Sequence, residues 1–201
     1  MGILKNDTVY EDEIFSGLKA VSLKVSRSTF EECQFLDCDL AEAEFDQCRF
    51  IECEFRDSNL NVTKLPGSRF FESQFKDCKV TGINWTSLDW TGITLSAPMA
   101  FESCDLSFSV FNSLSLPGLI IKNCKAWYAD FEACDLTHSV FTNTDLQDAR
   151  FNGTKLDKSD FDGAVNYYID PMGNSIREAH FDFPEVINLL KALDIKIKGS
   201  Y

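Results

Sequence analysis

The sequence is poor in positively charged residues: 19 Lys and Arg stand against 32 Asp and Glu, so the formal net charge is −13. A protein that holds nucleic acid or an anionic membrane by non-specific attraction needs an excess of basic residues. The composition therefore argues against direct nucleic-acid binding. It leaves two interpretations of the acidity, a basic protein partner or a purely solubilising role.

The chain also lacks a long hydrophobic run, although 44% of its residues are hydrophobic. No stretch approaches the roughly 20 apolar residues that span a bilayer. The opening segment MGILKNDTVYEDE is too acidic for a secretory signal peptide, and Asn6 stands where a myristoylation signal has Ser or Thr. We expect a cytoplasmic protein with a buried core and no membrane partner.

Catalytic motifs are missing as well. His138 and His180 share no recognisable arrangement with a nucleophile or carboxylate, and no GxSxG, phosphate-loop or HExxH motif occurs. Eight cysteines invite a disulfide or metal interpretation, but the closest pairs are CxxxxC, a looser spacing than zinc sites use. We expect no enzyme activity, no cofactor and no metal.

What the chain has instead is a period of five. From Val25 to Leu95 every fifth residue is large and apolar. The grid slips by one residue within 96–100, then resumes at Phe101 and continues to Phe161, with Ala126 as its one small member. Neither a helix, with period 3.6, nor a flat strand, with period 2, has this period. We call these large residues the centres.

The cysteines obey the same grid. All eight lie two residues before a centre: Cys33, Cys38, Cys48, Cys53, Cys78, Cys104, Cys124 and Cys134. The other residues at this position are mostly Ser, Thr or Ala, and between 25 and 165 no charged residue falls there or at a centre. We expect both positions to point inward, with the thiols packed as small hydrophobes in a reduced interior.

Two inward positions that flank an outward one make a short strand, and the remaining two outward residues make a corner. Strands and corners repeated in this way form a coil that stacks on its neighbours as a solenoid. Adjacent coils would pair through backbone hydrogen bonds about 4.8 Å apart. The large centres would then fill the axis.

The pentads CDLAE, CEFRD, SNLNV, TDLQD and SDFDG resemble the signature of the pentapeptide-repeat family. The resemblance implies an all-β fold, a right-handed quadrilateral β-solenoid with four pentads per coil. We expect an N-terminal cap over 1–14, the solenoid over 15–165, and a capping or dimerisation region over 166–201. Seven and a half coils would be about 36 Å long.

Acidic residues concentrate at the start of the chain, where the segment 1–60 holds 14 of the 32 Asp and Glu. With four pentads per coil, like charges stack into columns, which are mildly destabilising and so hint at selection for the field itself. One predicted column is Glu32, Glu52 and Glu72, and a second, on the adjacent face, is Asp37, Asp57 and Asp77. Four more acids are expected to thicken this patch: Glu42, Glu44, Asp46 and Glu54.

The C-terminal segment changes period. Asp182 and Glu185 match a capping box, with Pro184 in the first turn of a short helix and a terminal strand at 195–197. This region can cap the last coil or form a two-fold, end-to-end homodimer. The residues predicted for the interface are Pro184, Val186, Ile187, Leu189, Leu190, Leu193, Ile195 and Ile197.

Three short motifs, NWTS (84–87), NYYID (166–170) and LLKALDI (189–195), are similar to the Qnr, MfpA and AlbG group of this family. That group implies a dimeric DNA mimic that binds bacterial DNA gyrase, with topoisomerase IV as a further target, and protects it from quinolone- or albicidin-type poisons. The single extra residue at 96–100 makes the chain more similar to the loop-less members. The alternative is a general protein-interaction scaffold with no topoisomerase role.

Overall fold

A computed structural model describes residues 4–91, 99–193 and 195. Its elements are fourteen short strands, two 3-10 helices and one α-helix. The strands are β1 (Val9–Glu11), β2 (Ile14–Ser16), β3 (Lys24–Ser26), β4 (Thr29–Glu31), β5 (Gln34–Leu36), β6 (Glu44–Asp46), β7 (Arg49–Ile51), β8 (Glu54–Arg56), β9 (Arg69–Phe71), β10 (Ser73–Lys76), β11 (Met99–Glu102), β12 (Ile120–Lys122), β13 (Asp160–Phe161) and β14 (His180–Phe181). The helices are the 3-10 turns Trp85–Ser87 and Glu185–Ile187 and the helix α1 (Asn188–Lys191).

All the strands and bridges pair in parallel, and almost every partner lies four pentads away along the chain. Four such ladders run the length of the molecule, one for each pentad of a coil. Face 1 contains β1, β4, β7 and β9, and face 2 contains β2, β5, β8, β10, β11 and β12. Face 3 is a series of bridges that starts at Lys19, and face 4 contains β3 and β6. The prediction of a four-sided parallel β-solenoid is confirmed.

Phenylalanine rings fill the axis in columns. On face 2, Phe35 stacks on Phe55 at 4.7 Å between ring centroids, and Phe55 stacks on Phe75 at the same distance. Every centre from Val25 to Phe161 within the described residues is buried, apart from the partly buried Trp90. Each stacked pair of rings contributes to stability beyond the apolar area that it buries.

Where the small inward position holds Ser, Thr or Cys, its side chain in most cases donates a hydrogen bond to a backbone carbonyl of the preceding coil. The hydroxyl of Ser58 donates to the carbonyl of Phe35 at 3.1 Å, and that of Thr63 to the carbonyl of Leu40 at 3.0 Å. The Cys53 thiol does the same to the Phe30 carbonyl at 3.3 Å. All eight cysteines are free and buried within the described ranges. Burial raises the pKa of Cys53 to about 12, so the thiols act as structural groups.

The insertion between coils is larger than the sequence grid predicts. Asp89 still pairs in the four-pentad register, because its N–H donates to the carbonyl of Ser68. Phe75, however, pairs with Phe101, which lies one pentad and one residue beyond the position four pentads on. Six additional residues therefore lie between Asp89 and Met99, where the grid shows a slip of one at 96–100. Leu95 lies outside the described residues, as does most of that slip.

The solenoid ladder also extends beyond both predicted boundaries. Val9 pairs with Thr29, within the segment 1–14 that the sequence assigns to a cap. At the other end Phe161 pairs with Phe181, beyond the predicted end at 165. About eight turns result, since the ladder of face 1 runs from Val9 to Ser175.

The short C-terminal helix is present, but the predicted capping box is wrong. Pro184 occupies the N-cap and makes no side-chain cap hydrogen bond. Asp182 follows directly on the last strand and contributes its backbone carbonyl, which accepts from the N–H of Val186 at 2.9 Å. The Glu185 carboxylate accepts instead from the Asn188 amide. Of the predicted terminal strand, Ile195 is described without strand pairing and Ile197 lies outside the described residues.

The neighbouring residues Phe70 and Phe71 allow a test of which positions of the pentad point into the core. Phe70 is 3% exposed and Phe71 is 53% exposed. We expect Phe70→Ala to lower the free energy of unfolding by about 3–5 kcal/mol, because it removes a ring from a packed column. Phe71→Ala should change it by no more than about 0.5 kcal/mol. Urea unfolding followed by circular dichroism measures both, and equal losses would contradict the inward assignment of the centres.

Candidate protein-interaction surface

Carboxylates line the two corners that border face 2. The corner between faces 1 and 2 carries Asp12, Glu32, Glu52 and Glu72, and the corner between faces 2 and 3 carries Asp37, Asp57 and Asp77. We call these seven residues the corner columns. Each has a φ between 47° and 53°. The two predicted columns are thus present, in successive coils.

The backbone ladder holds these corner residues in place. The N–H of Glu32 donates to the carbonyl of Ile51 at 2.9 Å, and that of Asp37 to the carbonyl of Arg56 at 3.1 Å. Positive φ is common for Asp and Asn but unfavourable for larger residues. The corners of this chain hold many residue types at positive φ, including Gln47 and Val62, so the backbone does not by itself require Glu at three successive levels of one corner.

The corner columns are not neutralised. Their seven carboxylates are exposed, and among the described residues none of them forms an ion pair. Elsewhere stacked charges alternate in sign: Lys125 contacts Asp105 at 3.4 Å, and Lys155 contacts Asp135 at 3.1 Å, each one coil apart. The chain thus has a means of compensating stacked charge and does not use it at these two corners.

The four acids expected to thicken the patch do not do so. Glu42 lies on the corner between faces 3 and 4, and Glu44 and Asp46 lie on face 4, opposite face 2. Glu44 is also paired with Lys24 at 3.1 Å. The prediction is wrong for Glu42, Glu44 and Asp46, because residues close in sequence lie on different faces. Glu54 lies on the predicted face, between the columns, but Arg56 neutralises its charge.

Three acids missed by the sequence analysis belong to this surface. Asp12 begins the first column, and Glu11 and Glu31 lie beside it on face 1. Together with Glu32 they line a hollow of about 210 Å³. Extending the four-pentad spacing below residue 15 would have found Asp12, but the segment was assigned to a cap.

A basic cluster interrupts face 1. Arg27, Arg49 and Arg69 line a shallow hollow of about 390 Å³. Arg27 is paired with Asp7 at 2.7 Å and Arg69 with Asp89, while Arg49 has no ion pair within the described ranges. The corner columns, with Glu11 and Glu31 beside the first of them, form a negative surface in the first four coils that no ion pair among the described residues compensates.

Some of the predicted dimer residues face the core, and others face solvent. Leu189 is buried, and Val186 packs against the core, so both cover the last coil. Pro184, Leu190, Leu193 and Ile195 are exposed, and Ile187 is intermediate. Ile197 lies outside the described residues. The exposed members form an apolar end to the molecule.

The described residues contain no group of three or more His, Cys, Asp or Glu arranged to hold a metal. His138 lies on an exposed corner and His180 in β14, so the structure does not bring them together. Within the same residues no helix is long and apolar enough to cross a bilayer.

Comparison with protein families decides the assignment. The family model described as a pentapeptide repeat region matches residues 28–97 and 98–165. The chain belongs to the pentapeptide-repeat family. No curated protein sequence matches it significantly.

Solved pentapeptide-repeat structures share the fold. HetL, from the cyanobacterium Nostoc sp. strain PCC 7120, is a pentapeptide repeat protein involved in heterocyst differentiation regulation. It superposes with a TM-score of 0.53 at 10% identity, over 87% of this chain and 85% of that chain. A trypsin-treated variant of QnrB1, a plasmid-mediated fluoroquinolone resistance protein, has 15% identity over 96% of this chain and 99% of that chain, with a TM-score of 0.49. Identities this low establish the fold alone.

Charge repulsion within the corner columns predicts the effect of a neutral substitution. Glu52 lies between Glu32 and Glu72, so Glu52→Gln should raise the melting temperature of this pentapeptide-repeat protein by about 1 °C at low salt. Added salt should remove that difference. Calorimetry at two ionic strengths measures both.

Asp89 supplies the matched control. Hydrogen bonds from Thr91, and then from Arg69, lower the pKa of Asp89 to about 2. A depressed folded pKa contributes stability above the unfolded value of about 3.9, and this is lost as the pH falls. Asp89→Asn should therefore lower the melting temperature at pH 7, and this difference should shrink as the pH falls from about 4 and disappear below pH 2. A stabilising Asp89→Asn would contradict this account of the surface charges.

Proposed function

We propose that this pentapeptide-repeat protein is a non-enzymatic DNA mimic that binds bacterial DNA gyrase, with topoisomerase IV as a second target. The observation that carries the proposal is the pair of uncompensated corner columns bordering face 2. A surface of this sign attracts the basic groove of a DNA-binding enzyme and steers its approach.

The spacing of the carboxylates supports the proposal. Coils about 4.8 Å apart give each column one charge per coil, so two columns together present one charge per about 2.4 Å of axis. Duplex DNA presents one per about 1.7 Å over its two strands. The corner columns therefore approach the linear charge density of the duplex, although they extend over only the first four coils.

Protection of gyrase from a quinolone- or albicidin-type poison is the proposed consequence. A mimic that occupies the DNA groove competes with the cleaved DNA on which such a poison acts. The family resemblance and the description of QnrB1 as a fluoroquinolone resistance protein motivate this part of the proposal. Six residues are inserted between Asp89 and Met99, so the chain is not similar to the loop-less members in the way that the sequence grid indicates.

An interaction scaffold without a topoisomerase role is the second candidate. The cluster of Arg27, Arg49 and Arg69 favours it, because a basic patch beside an acidic column has no counterpart on DNA. The HetL fold, which belongs to a protein involved in differentiation regulation, gives it a precedent. Capture of another partner, with no binding to gyrase, would support it.

Charge reversal at the columns tests gyrase binding. We expect Glu52→Lys with Asp57→Lys to weaken binding to purified gyrase by at least about tenfold at low salt, because both changes lie within the uncompensated surface. The matched control is Glu42→Lys with Asp46→Lys, which changes the same charge away from face 2 and should have little effect. Fluorescence anisotropy with labelled protein measures binding, and supercoiling assays with and without drug measure protection. Equal effects of the two pairs would contradict the DNA-mimic proposal.

The exposed apolar end motivates a second proposal, an end-to-end homodimer. Leu190→Glu with Leu193→Glu should convert the dimer to a folded monomer, because both side chains are exposed in the single chain. Leu189→Glu, which buries a charge against the last coil, should instead destabilise the fold. Sedimentation velocity and circular dichroism separate the two outcomes. A parent protein that is monomeric at tens of micromolar would refute the dimer.

A further inference from the structure

The corner between faces 3 and 4 carries exposed aromatic residues. Phe108 is 59% exposed, Tyr128 is 49% exposed and Tyr168 is 57% exposed. Phe108 and Tyr128 occupy equivalent positions in successive coils, and their rings stack at 5.1 Å between centroids with an interplanar angle of 6°. These rings lie outside the core. Their corner is diagonally opposite the column of Asp12 and the three Glu residues, and it is separated by face 3 from the corner that carries Asp37, Asp57 and Asp77.

The backbone at both positions disfavours a bulky residue. Each is the third residue of a hydrogen-bonded turn, closed by Ser109 N–H to Leu106 carbonyl and by Ala129 N–H to Ala126 carbonyl. Phe108 has a φ of 62° and Tyr128 a φ of 56°. Such a turn favours Gly or Asn at this position. This chain itself uses Gly82 at the same corner one coil earlier, and Asn123 and Asn143 at another corner, so the turn does not require an aromatic residue at either position.

The column leaves one ring face open. The neighbour of Phe108 in the preceding coil is Gly82, as the bond from the Gly82 N–H to the Ser107 carbonyl shows. Gly82 has no side chain, so nothing from its position covers Phe108. On the other side of the pair, the neighbour of Tyr128 is Asp148, which raises the pKa of the Tyr128 hydroxyl through a hydrogen bond. An aromatic face and a carboxylate thus lie along one edge.

The surrounding charges favour a cationic ligand. Asp148 forms no ion pair within the described residues. Beyond it the edge reaches a hollow of about 530 Å³ lined by Asp148, Tyr168, Glu185 and Lys191 among others. On the adjoining face Lys125 already places its Nζ 3.8 Å from the centre of the Trp127 ring. A stacking surface for bases would need a basic groove, which this edge lacks.

We propose that Phe108, Tyr128 and Asp148 form a docking site for a partner segment that carries arginine. One guanidinium stacks on the open face of Phe108, and a second pairs with Asp148. Arginine fits better than lysine, because its planar guanidinium stacks on aromatic faces and forms a bidentate pair with a carboxylate. This site is independent of the gyrase-binding proposal, since it uses neither corner column.

The geometry suggests a probe. Two coils separate Phe108 from Asp148, about 10 Å at the coil spacing, which an extended chain covers in three residues. The blocked tetrapeptide acetyl-RGGR-amide has its two arginines at that separation. Titrated into the isotopically labelled full chain, it should shift the backbone amide signals of Phe108 and Tyr128 and the indole signal of Trp127.

Three variants test the site. Phe108→Asn and Tyr128→Asn suit the turn better than the aromatic residues do, so both proteins should melt at or above the parent temperature. Both should nevertheless bind the peptide at least about fivefold more weakly. Asp148→Asn should also weaken binding, whereas Asp77→Asn, which removes the same charge from a corresponding turn position on another corner, should not.

Five results would overturn the proposal. A lower melting temperature in both aromatic variants would make the ring pair a structural feature. Unchanged binding in those variants would exclude the stacking contact. Equal binding of acetyl-KGGK-amide, or equal loss in Asp77→Asn, would reduce the effect to non-specific attraction by an acidic protein. Tighter binding of a short single-stranded DNA at the same residues would assign the surface to bases.

Discussion

The structure depends on the parallel hydrogen-bond ladder that joins residues four pentads apart. Wherever the ladder joins residues four pentads apart, the coils have the same length. Each position of a pentad therefore lies next to the same position of a pentad in the next coil. Phenylalanine therefore stacks on phenylalanine in the axis, and a corner carboxylate lies above a corner carboxylate outside. The core and the charged surface are two consequences of one repeat distance.

The inward and outward assignment could be predicted from sequence because it needs only the period of five. Phe50 and Cys53 are buried, and Glu52 between them is exposed, as the grid requires. Which face a residue occupies could not be predicted so safely. An insertion of one pentad plus one residue leaves the grid almost unchanged, so the sequence shows a slip of one where the ladder counts six additional residues. A period of five does not distinguish a pentad that forms a side of the coil from a pentad added between coils.

At the candidate surface, too, counting pentads predicts some positions correctly and others wrongly. Glu32, Glu52 and Glu72 precede the insertion and were correctly stacked by counting four pentads at a time. Glu44 and Asp46 were misplaced, because residues close in sequence lie on different faces once the chain turns a corner. The ion pairs that neutralise Glu44 and Glu54 depend on side-chain partners that no pattern of spacing indicates. The exposed pair Phe108 and Tyr128 could not be predicted from the period of five, because the pattern places no restriction on which residue occupies a turn position.

The constant step of the ladder has a consequence for how such a protein can change over evolutionary time. Duplicating a stretch that spans one full circuit would lengthen the stack without altering the environment of any existing side chain, because each new residue would meet neighbours like those of its template. Each duplication within the second to fourth circuits would also add one carboxylate to each of the two acidic edges. The length of the negative surface along the solenoid axis can therefore increase one coil at a time, while the packing of the core stays the same.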